Sequence, residues 1–587
     1  MAAGLVALAL LACLAETARP DLQPSPNVVV VMTDDQGYGD FSLTGNPILR
    51  TPNLDALAAE SAWFTDFHVA PSCTATRGQL LTGLDSLRNG ASSPHGQRHL
   101  LKRGLRTMAD EFAERGYRTA LYGKWHLGGN TPGHRPHERG FQDAVHYLRG
   151  GVQSLPNYWN SDLQDDYLLH NGSYERFDGY ATDVWFDLAE AFVRQRREDG
   201  EPFFLYLPLN APHGPLLAPD RYREPYRHLD KETATFFAMI ATVDDRLGRF
   251  VALLYELGLR DSTIVVFLTD NGTANGEAVF SAGMRGKKGS LYDGGHRVPL
   301  FVSWPGGQLQ PPGTVDALTH VQDLLPTLLD LCDLDPPQGA QYDGVSLASL
   351  LRTGKQPELQ ERVVVVQQSD QKGRGAVLWR DWRWVGGELY DLSEDPAQMR
   401  DLAGERPDLT AKLAGDYEQW WAGVELGLEL EPYPVGMEPQ MLTSYDWWHG
   451  PRVYNWPHLR RGERGQGRFA VRVERPGRYR VALRRWPRES GLGIRSPAER
   501  YVASDPYMAG DPRIEAFPPG RALDILEAGS RFGAVERRKA VEDGAQEIEF
   551  DFVLEAGLTE LETWFVDRDG EQFGAYYAYV EQMEGSE

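Results

Sequence analysis

The sequence predicts an α/β protein: a large, mixed, mainly parallel sheet flanked by helices, then a small antiparallel subdomain and an additional all-β, sandwich-like module. Three observations carry this expectation. Short apolar, β-branched runs alternate with helix-like segments through the first 330 residues, the pattern of strands joined by helical crossovers. Past residue 360, strand-like runs follow one another directly. Beyond about residue 435, apolar residues alternate with period two between turn signals.

Taken in order, "NVVVVM" (27–32) reads as a buried strand. "TPNLDALAAESAWF" (51–64) reads as a helix, with Thr51 at the cap and Pro52 at the first helical position. "TRGQLLTGL" is helical and puts Cys73 at or near its N-terminus, and "TMADEFAERG" (107–116) is a helix ending at Gly116 that feeds the strand "YRTALYG". "FFLYLPLN" (203–210), a long helix near 231–258, "STIVVFLTD" (262–270) and "PLFVSW" (299–304) follow. "RVVVVQQ", "AVLWRDWRWVGG" and "ELYDL" form a small antiparallel sheet, and "PDLTAKLAGDYEQWW" a helix behind it. "EPYPVGMEPQM" (431–441) is the linker candidate. The expected division is a signal peptide over 1–22, a catalytic α/β domain over 26–355, its C-terminal subdomain over 356–430 and the all-β module over 435–587.

Sixty Lys and Arg against 84 Asp and Glu give a formal charge of -24, which excludes a nucleic-acid binder relying on a broad basic surface. An anionic substrate must then be met by a local positive site. The opening "MAAGLVALALLACLAETARP" has an apolar core too short for a membrane span and suited to export, so a periplasmic or secreted protein is expected. "LLAC" loosely resembles a lipobox, which makes a lipid anchor through Cys13 the alternative. No later stretch is apolar enough to span a bilayer. Of the other two cysteines, Cys332 sits on an apolar helix face. A Cys73–Cys332 disulfide has no spacing pattern behind it, and Cys73, in a polar Gly and Thr setting, points to chemistry.

In parallel sheets ligands bind beyond the carboxyl ends of the strands. After "NVVVVM" come Asp34 and Asp35, after "TALYG" Lys124 and His126, after "FFLYLPLN" His213, and after "STIVVFLT" Asp270 and Asn271. Singly, each has an ordinary reading as a turn, a cap or a surface histidine. Independent turns do not need to deliver acids, an amide, a lysine and two histidines to one rim. The oxygen set of Asp34, Asp35, Asp270 and Asn271 suits calcium or magnesium, and no sulfur and histidine spacing supports zinc. With Arg77, Lys124 and Lys288 nearby, the pocket is built for a sulfate or phosphate group. A thiolate nucleophile at a helix N-terminus fits Cys73's placement but not a hard, oxygen-preferring cation.

"CTATRGQLLTG" resembles the type I sulfatase signature, and "TDDQGYGD", "GKWHLG", "APHGP", "TDNG" and "GKKGSLYDGGHRVP" resemble that family's other blocks in the same order. "ELYDLSEDPAQMRDLA" resembles its C-terminal subdomain. The resemblance implies an alkaline-phosphatase-like fold and oxidation of Cys73 to formylglycine (3-oxoalanine) by a maturation enzyme. The hydrate's oxygen then replaces sulfur beside the metal. It further implies that Asp34, Asp35, Asp270 and Asn271 bind calcium together with the modified Cys73, and that a hydrate hydroxyl attacks sulfur with help from Asp270. His213 would protonate the leaving alcohol, Lys124 and Lys288 would neutralise sulfate oxygens, His126 would deprotonate the second hydroxyl, and Arg77 would hold the hydrate. Two departures stand out: Ala75 and Thr76 replace the commoner Pro and Ser, and Lys287 adjoins Lys288, with only the register of "KGSLYDGG" selecting Lys288.

The expected function is hydrolysis of sulfate esters on a sulfated polysaccharide or oligosaccharide. The alternatives are an arylsulfatase, a phosphoester or phosphonate monoester hydrolase of the same fold, and a non-enzymatic glycan-binding homologue. The aromatic-rich insertion over 131–180 is read either as a sugar-binding rim or as a surface region packed by its own aromatics.

Overall fold

The computed structural model describes residues 25–501 and 517–583; the expected signal peptide over 1–22 and Cys13 lie outside them. The first eleven strands are β1 (Asn27–Thr33), β2 (Ala62–His68), β3 (Arg118–Lys124), β4 (Asp143–Tyr147), β5 (Tyr167–His170), β6 (Ser173–Arg176), β7 (Phe203–Pro208), β8 (Thr263–Thr269), β9 (Arg297–Ser303), β10 (Gly313–Val315) and β11 (Thr319–His320). They form one sheet in the order β10-β2-β9-β8-β1-β7-β3-β4-β5-β6, with β11 also on β2. The centre β8-β1-β7-β3-β4 is parallel. β9 runs antiparallel to both neighbours, and β5 and β6 add an antiparallel edge.

Every residue of β1 is buried, because helices cover both faces and each side chain of "NVVVVMT" meets a core. Val29 and Val31 join Leu205, Leu207, Val265 and Phe267 on one face, while Val28, Val30 and Met32 join Phe204, Tyr206, Ile264 and Val266 on the other. α1 (Pro52–Ala59) and α2 (Cys73–Thr82) enter after β1 and β2. The expected helix over 51–64 is corrected: it stops at Ala59, and Ala62–His68 is β2, drawn into the sheet by β9, β10 and β11. Its burial pattern lacks the period-two alternation that marks a half-buried strand.

The four short strands over 363–391 make the expected antiparallel sheet, with the helix Pro407–Val424 against it. Arg383 clamps this sheet to the main one, donating to Asp66 at 2.8 Å and to Asp293 at 3.2 Å with all three groups largely buried. The linker expectation is also corrected. Tyr433–Val435 is a strand parallel to Arg468–Val473, and Gln440–Thr443 pairs with Tyr577–Gln582. Pro434 is tolerated because its strand lies at the sheet edge. A six-stranded and a four-stranded sheet then enclose one core with Trp447, Trp456 and Trp486 fully buried. Leu100 and Leu155, from the first 355 residues, belong to that same core. No helix among the described residues is long and apolar enough to cross a membrane.

Candidate active site

The carboxyl ends of β1, β3, β7 and β8 converge with the N-terminus of α2. Asp34 and Asp35 follow β1; side chains alternate along a strand, so adjacent residues ordinarily face opposite ways. Asp35 escapes this by adopting φ 72°, in the left-handed region, and its backbone N–H donates to Asp270 Oδ1 at 3.2 Å. Asp270 and Asn271 follow β8, and the Asn271 amide Nδ2 meets Asp270 Oδ1. Asp34, Asp270 and Asn271 are fully buried and Asp35 is nearly so.

Three cations neutralise these acids. Arg77, one turn into α2, donates to Asp270 Oδ2 at 2.8 and 3.2 Å and to the Lys124 carbonyl at 3.0 Å. Lys124, the last residue of β3, donates to Asp34 Oδ2 at 2.5 Å. Lys288 lies 2.5 Å from Asp35 Oδ1, whereas Lys287 points away to Glu277 at 3.1 Å. Burial pushes the Asp270 carboxyl up, joined by Asp34 and opposed by Arg77. Burial also pushes Asp35 up, but Lys288 and His213 outweigh it and hold Asp35 below the ordinary carboxylate value.

Cys73 opens α2, its Sγ 3.4 Å from His126 Nδ1. Burial raises the thiol above its ordinary pKa despite Lys124 and Lys288. Cys73 and Cys332 are both free and buried, which removes the disulfide alternative. Burial, with Lys124 adding to it, holds His126 well below its ordinary pKa, so it is a neutral imidazole. His213 faces Asp35 at 3.8 Å through Nε2, and its Nδ1 donates to the Gly214 carbonyl at 2.6 Å. Burial and Lys288 lower its pKa as well.

The donor set fits a divalent cation. Asp34 Oδ1 and Asn271 Oδ1 are buried without a hydrogen-bond partner, which a native protein rarely leaves unexplained. One ligand atom each from Asp34, Cys73 and Asp270 lies within 4.8 Å of the others, as do those of Asp34, Asp35 and His213. Three carboxylates against Arg77, Lys124 and Lys288 balance formally, so a bound divalent cation would leave excess positive charge for an anionic group.

All ten residues singled out in the sequence therefore gather in one place. The sequence reading missed four more. Gly150, beyond β4, packs on His126: a Cβ there would lie 2.4 Å from the ring. Tyr445 Oη meets His126 Nε2 at 3.2 Å. Arg149 donates to Asp446 at 2.6 Å, both fully buried, and lies over the Tyr445 ring. Tyr445 and Asp446 come from the C-terminal sheets, roughly 300 residues from His126, and no local motif announces them.

A family model described as Sulfatase matches residues 26–334, just over half of the chain. The chain is 30% identical to N-acetylgalactosamine-6-sulfatase of Sus scrofa over 368 residues, 57% of this chain and 67% of that protein. It is 33% identical to arylsulfatase A of Homo sapiens over 451 residues, 70% and 84% of the two chains. The solved structure of Ps i-CgsB in complex with k-i-k-neocarrahexaose has a TM-score of 0.63 at 26% identity, covering 69% of this chain and 95% of that one. A second, of Ps i-CgsB alone, has a TM-score of 0.62 at 27% identity, covering 68% and 92%. On the site, the alkaline-phosphatase-like fold and these matches, the chain belongs to the sulfatase family and is a sulfuric ester hydrolase.

Proposed function

We propose that the protein hydrolyses sulfate esters of a sulfated carbohydrate, with Cys73 as the precursor of formylglycine and with one calcium ion held by Asp34, Asp35, Asp270, Asn271 and residue 73. The observation that carries this reading is the placement of Cys73: a buried, unpaired thiol at the start of a helix, among oxygen donors that suit a hard cation. When present, the cation and the aldehyde hydrate supply Lewis acidity and an oxygen nucleophile.

The chain's own residues do the rest. Lys124 and Lys288 take up charge on the sulfate oxygens. Each pairs with an aspartate that would hold the cation, Lys124 with Asp34 and Lys288 with Asp35, so both ammonium groups lie at the edge of its site. Arg77 fixes Asp270 and the first turn of α2. Asp270 takes a proton from the attacking side. His213 has its Nδ1–H committed to Gly214, which leaves Nε2 to hand a proton to the leaving alcohol. Neutral His126, 3.4 Å from residue 73, accepts the proton that regenerates the starting group.

For the substrate, N-acetylgalactosamine-6-sulfatase and the neocarrahexaose complex of Ps i-CgsB support a carbohydrate. The insertion over 131–180 supports it less. Tyr158 stacks on Tyr167, Trp159 packs on Trp456 and Trp486, and Phe141, Tyr147 and Tyr180 lie in the cores of the main sheet, so these rings are engaged within the protein. The proposed domain division is 26–355 and 356–430 for the sulfatase unit and 435–587 for the β module, with the strand Tyr433–Val435 at the last boundary. The test is turnover of paired sulfate and phosphate esters, on saccharide and aryl leaving groups. Preference for the sulfated saccharide is expected, and preference for phosphate would overturn the reading.

A further inference from the structure

We propose that Tyr445, supplied by the C-terminal β-sheets, is a positioning residue that fixes the tautomer of His126 and so completes the site from outside the sulfatase α/β unit. The inference rests on the role given to His126 above. To accept a proton from residue 73 through Nδ1, the imidazole must carry its own proton on Nε2, and that N–H then needs an acceptor. The hydrogen-bond partner of Nε2 is Tyr445 Oη, at 3.2 Å.

The surroundings show that Tyr445 is held for this purpose. It is 3% exposed, in the short turn Ser444–Asp446 that follows the strand Gln440–Thr443. Asp446 Oδ2 accepts from both the backbone and the hydroxyl of Thr443 at 3.0 Å, closing the turn. Asp446 Oδ1 receives the Arg149 guanidinium, which also lies 5.2 Å from the Tyr445 ring centroid. The His95 ring lies 5.3 Å from the Tyr445 ring, and Gly96 N–H donates to the Tyr445 carbonyl at 3.4 Å. Residue 149 follows β4 of the main sheet, so a buried ion pair joins the two halves beside the histidine. Ring contacts and the ion pair fix the phenol in position, where its oxygen can accept from Nε2–H and leave Nδ1 free toward residue 73. A packing role alone would need the ring but not its oxygen.

Two measurements test this on the full-length protein. In the first, histidine-selective 15N NMR of the wild type, with the His126 signals assigned by their loss in His126→Gln, is expected to show the Nε2–H tautomer. Finding Nδ1–H would overturn the proposal without any change at Tyr445. In the second, Tyr445→Phe removes only the hydroxyl. It is expected to convert His126 to a mixture of tautomers and to lower kcat about 10- to 100-fold, from loss of one hydrogen bond to a buried donor, with KM within about twofold. Unchanged kcat and tautomer in a folded Tyr445→Phe protein would assign Tyr445 to packing alone. Wild-type turnover of sulfate esters reports separately on the proposed function, so the two readings fail in different experiments.

Discussion

Asp34 and Asp35 show how much of the site is decided residue by residue. Placing two adjacent carboxylates in one pocket requires the backbone to leave the extended region, and Asp35 does so at φ 72°; His126, at φ 60°, makes the same departure after β3. Asp40, five residues beyond Asp35, is a buried acid with a different role. Its Oδ2 accepts from Gly37 N–H at 2.9 Å, and burial drives its pKa up to about 7, only partly offset by hydrogen bonds from Thr273 and Gly37. A carboxyl whose folded-state pKa lies above its unfolded value contributes its full stability below the unfolded pKa and loses it as pH rises through the folded one. That window runs from about 4 to about 7. Asp40→Asn keeps the acceptor for Gly37 and cannot ionise. Thermal melts are expected to show it near wild type at pH 4 and more stable at pH 8, by roughly 2–4 kcal/mol from the size of the shift. A difference that does not change between the two pH values would contradict this.

Among the elements, the loop after β4 presses directly on His126, the proposed proton acceptor. Gly150 touches the His126 ring so closely that a methyl group would lie 2.4 to 3.0 Å from three of its atoms. Gly150→Ala must therefore push the imidazole off residue 73. A displacement of about 1 Å at a reacting group costs on the order of 100-fold in rate. We expect kcat to fall by about that factor with little change in melting temperature, and turnover at the wild-type level would contradict the assigned geometry. The strands that carry the site were legible because they are fully buried β-branched runs followed at once by polar residues, as at Thr33–Asp34 and Thr269–Asp270. β2 was not, because its burial pattern repeats every third residue like a helix face. Gly150, Arg149 and Tyr445 escaped for another reason: their meaning arises only from contacts across the chain. "EPYPVGMEPQM" has the composition of a linker yet forms two edge strands, since their partners lie at 468–473 and 577–582.

At the scale of the whole molecule, a chain of net charge -24 gathers Arg77, Lys124 and Lys288 at one point and sets against them a cluster of acids that could hold a cation. The C-terminal sheets are built into this arrangement. Gln97 exchanges hydrogen bonds with the backbone of Ala470 at 2.8 and 2.9 Å, Tyr577 Oη donates to the Leu155 carbonyl at 2.8 Å, and Tyr445 reaches His126. Arg383 does the same for the small sheet over 363–391. Everything converges on residue 73, whose thiol is a soft donor in a hard-donor setting. The central claim is that the working protein does not carry a thiol there. Its most direct test is the mass of the peptide containing residue 73 in active protein from its own host, alongside a Cys73→Ala variant. We expect the aldehyde or its hydrate in the wild type, in proportion to specific activity, and a folded but inactive variant. An unmodified thiol in fully active protein, or sulfate ester turnover by Cys73→Ala, would contradict the account.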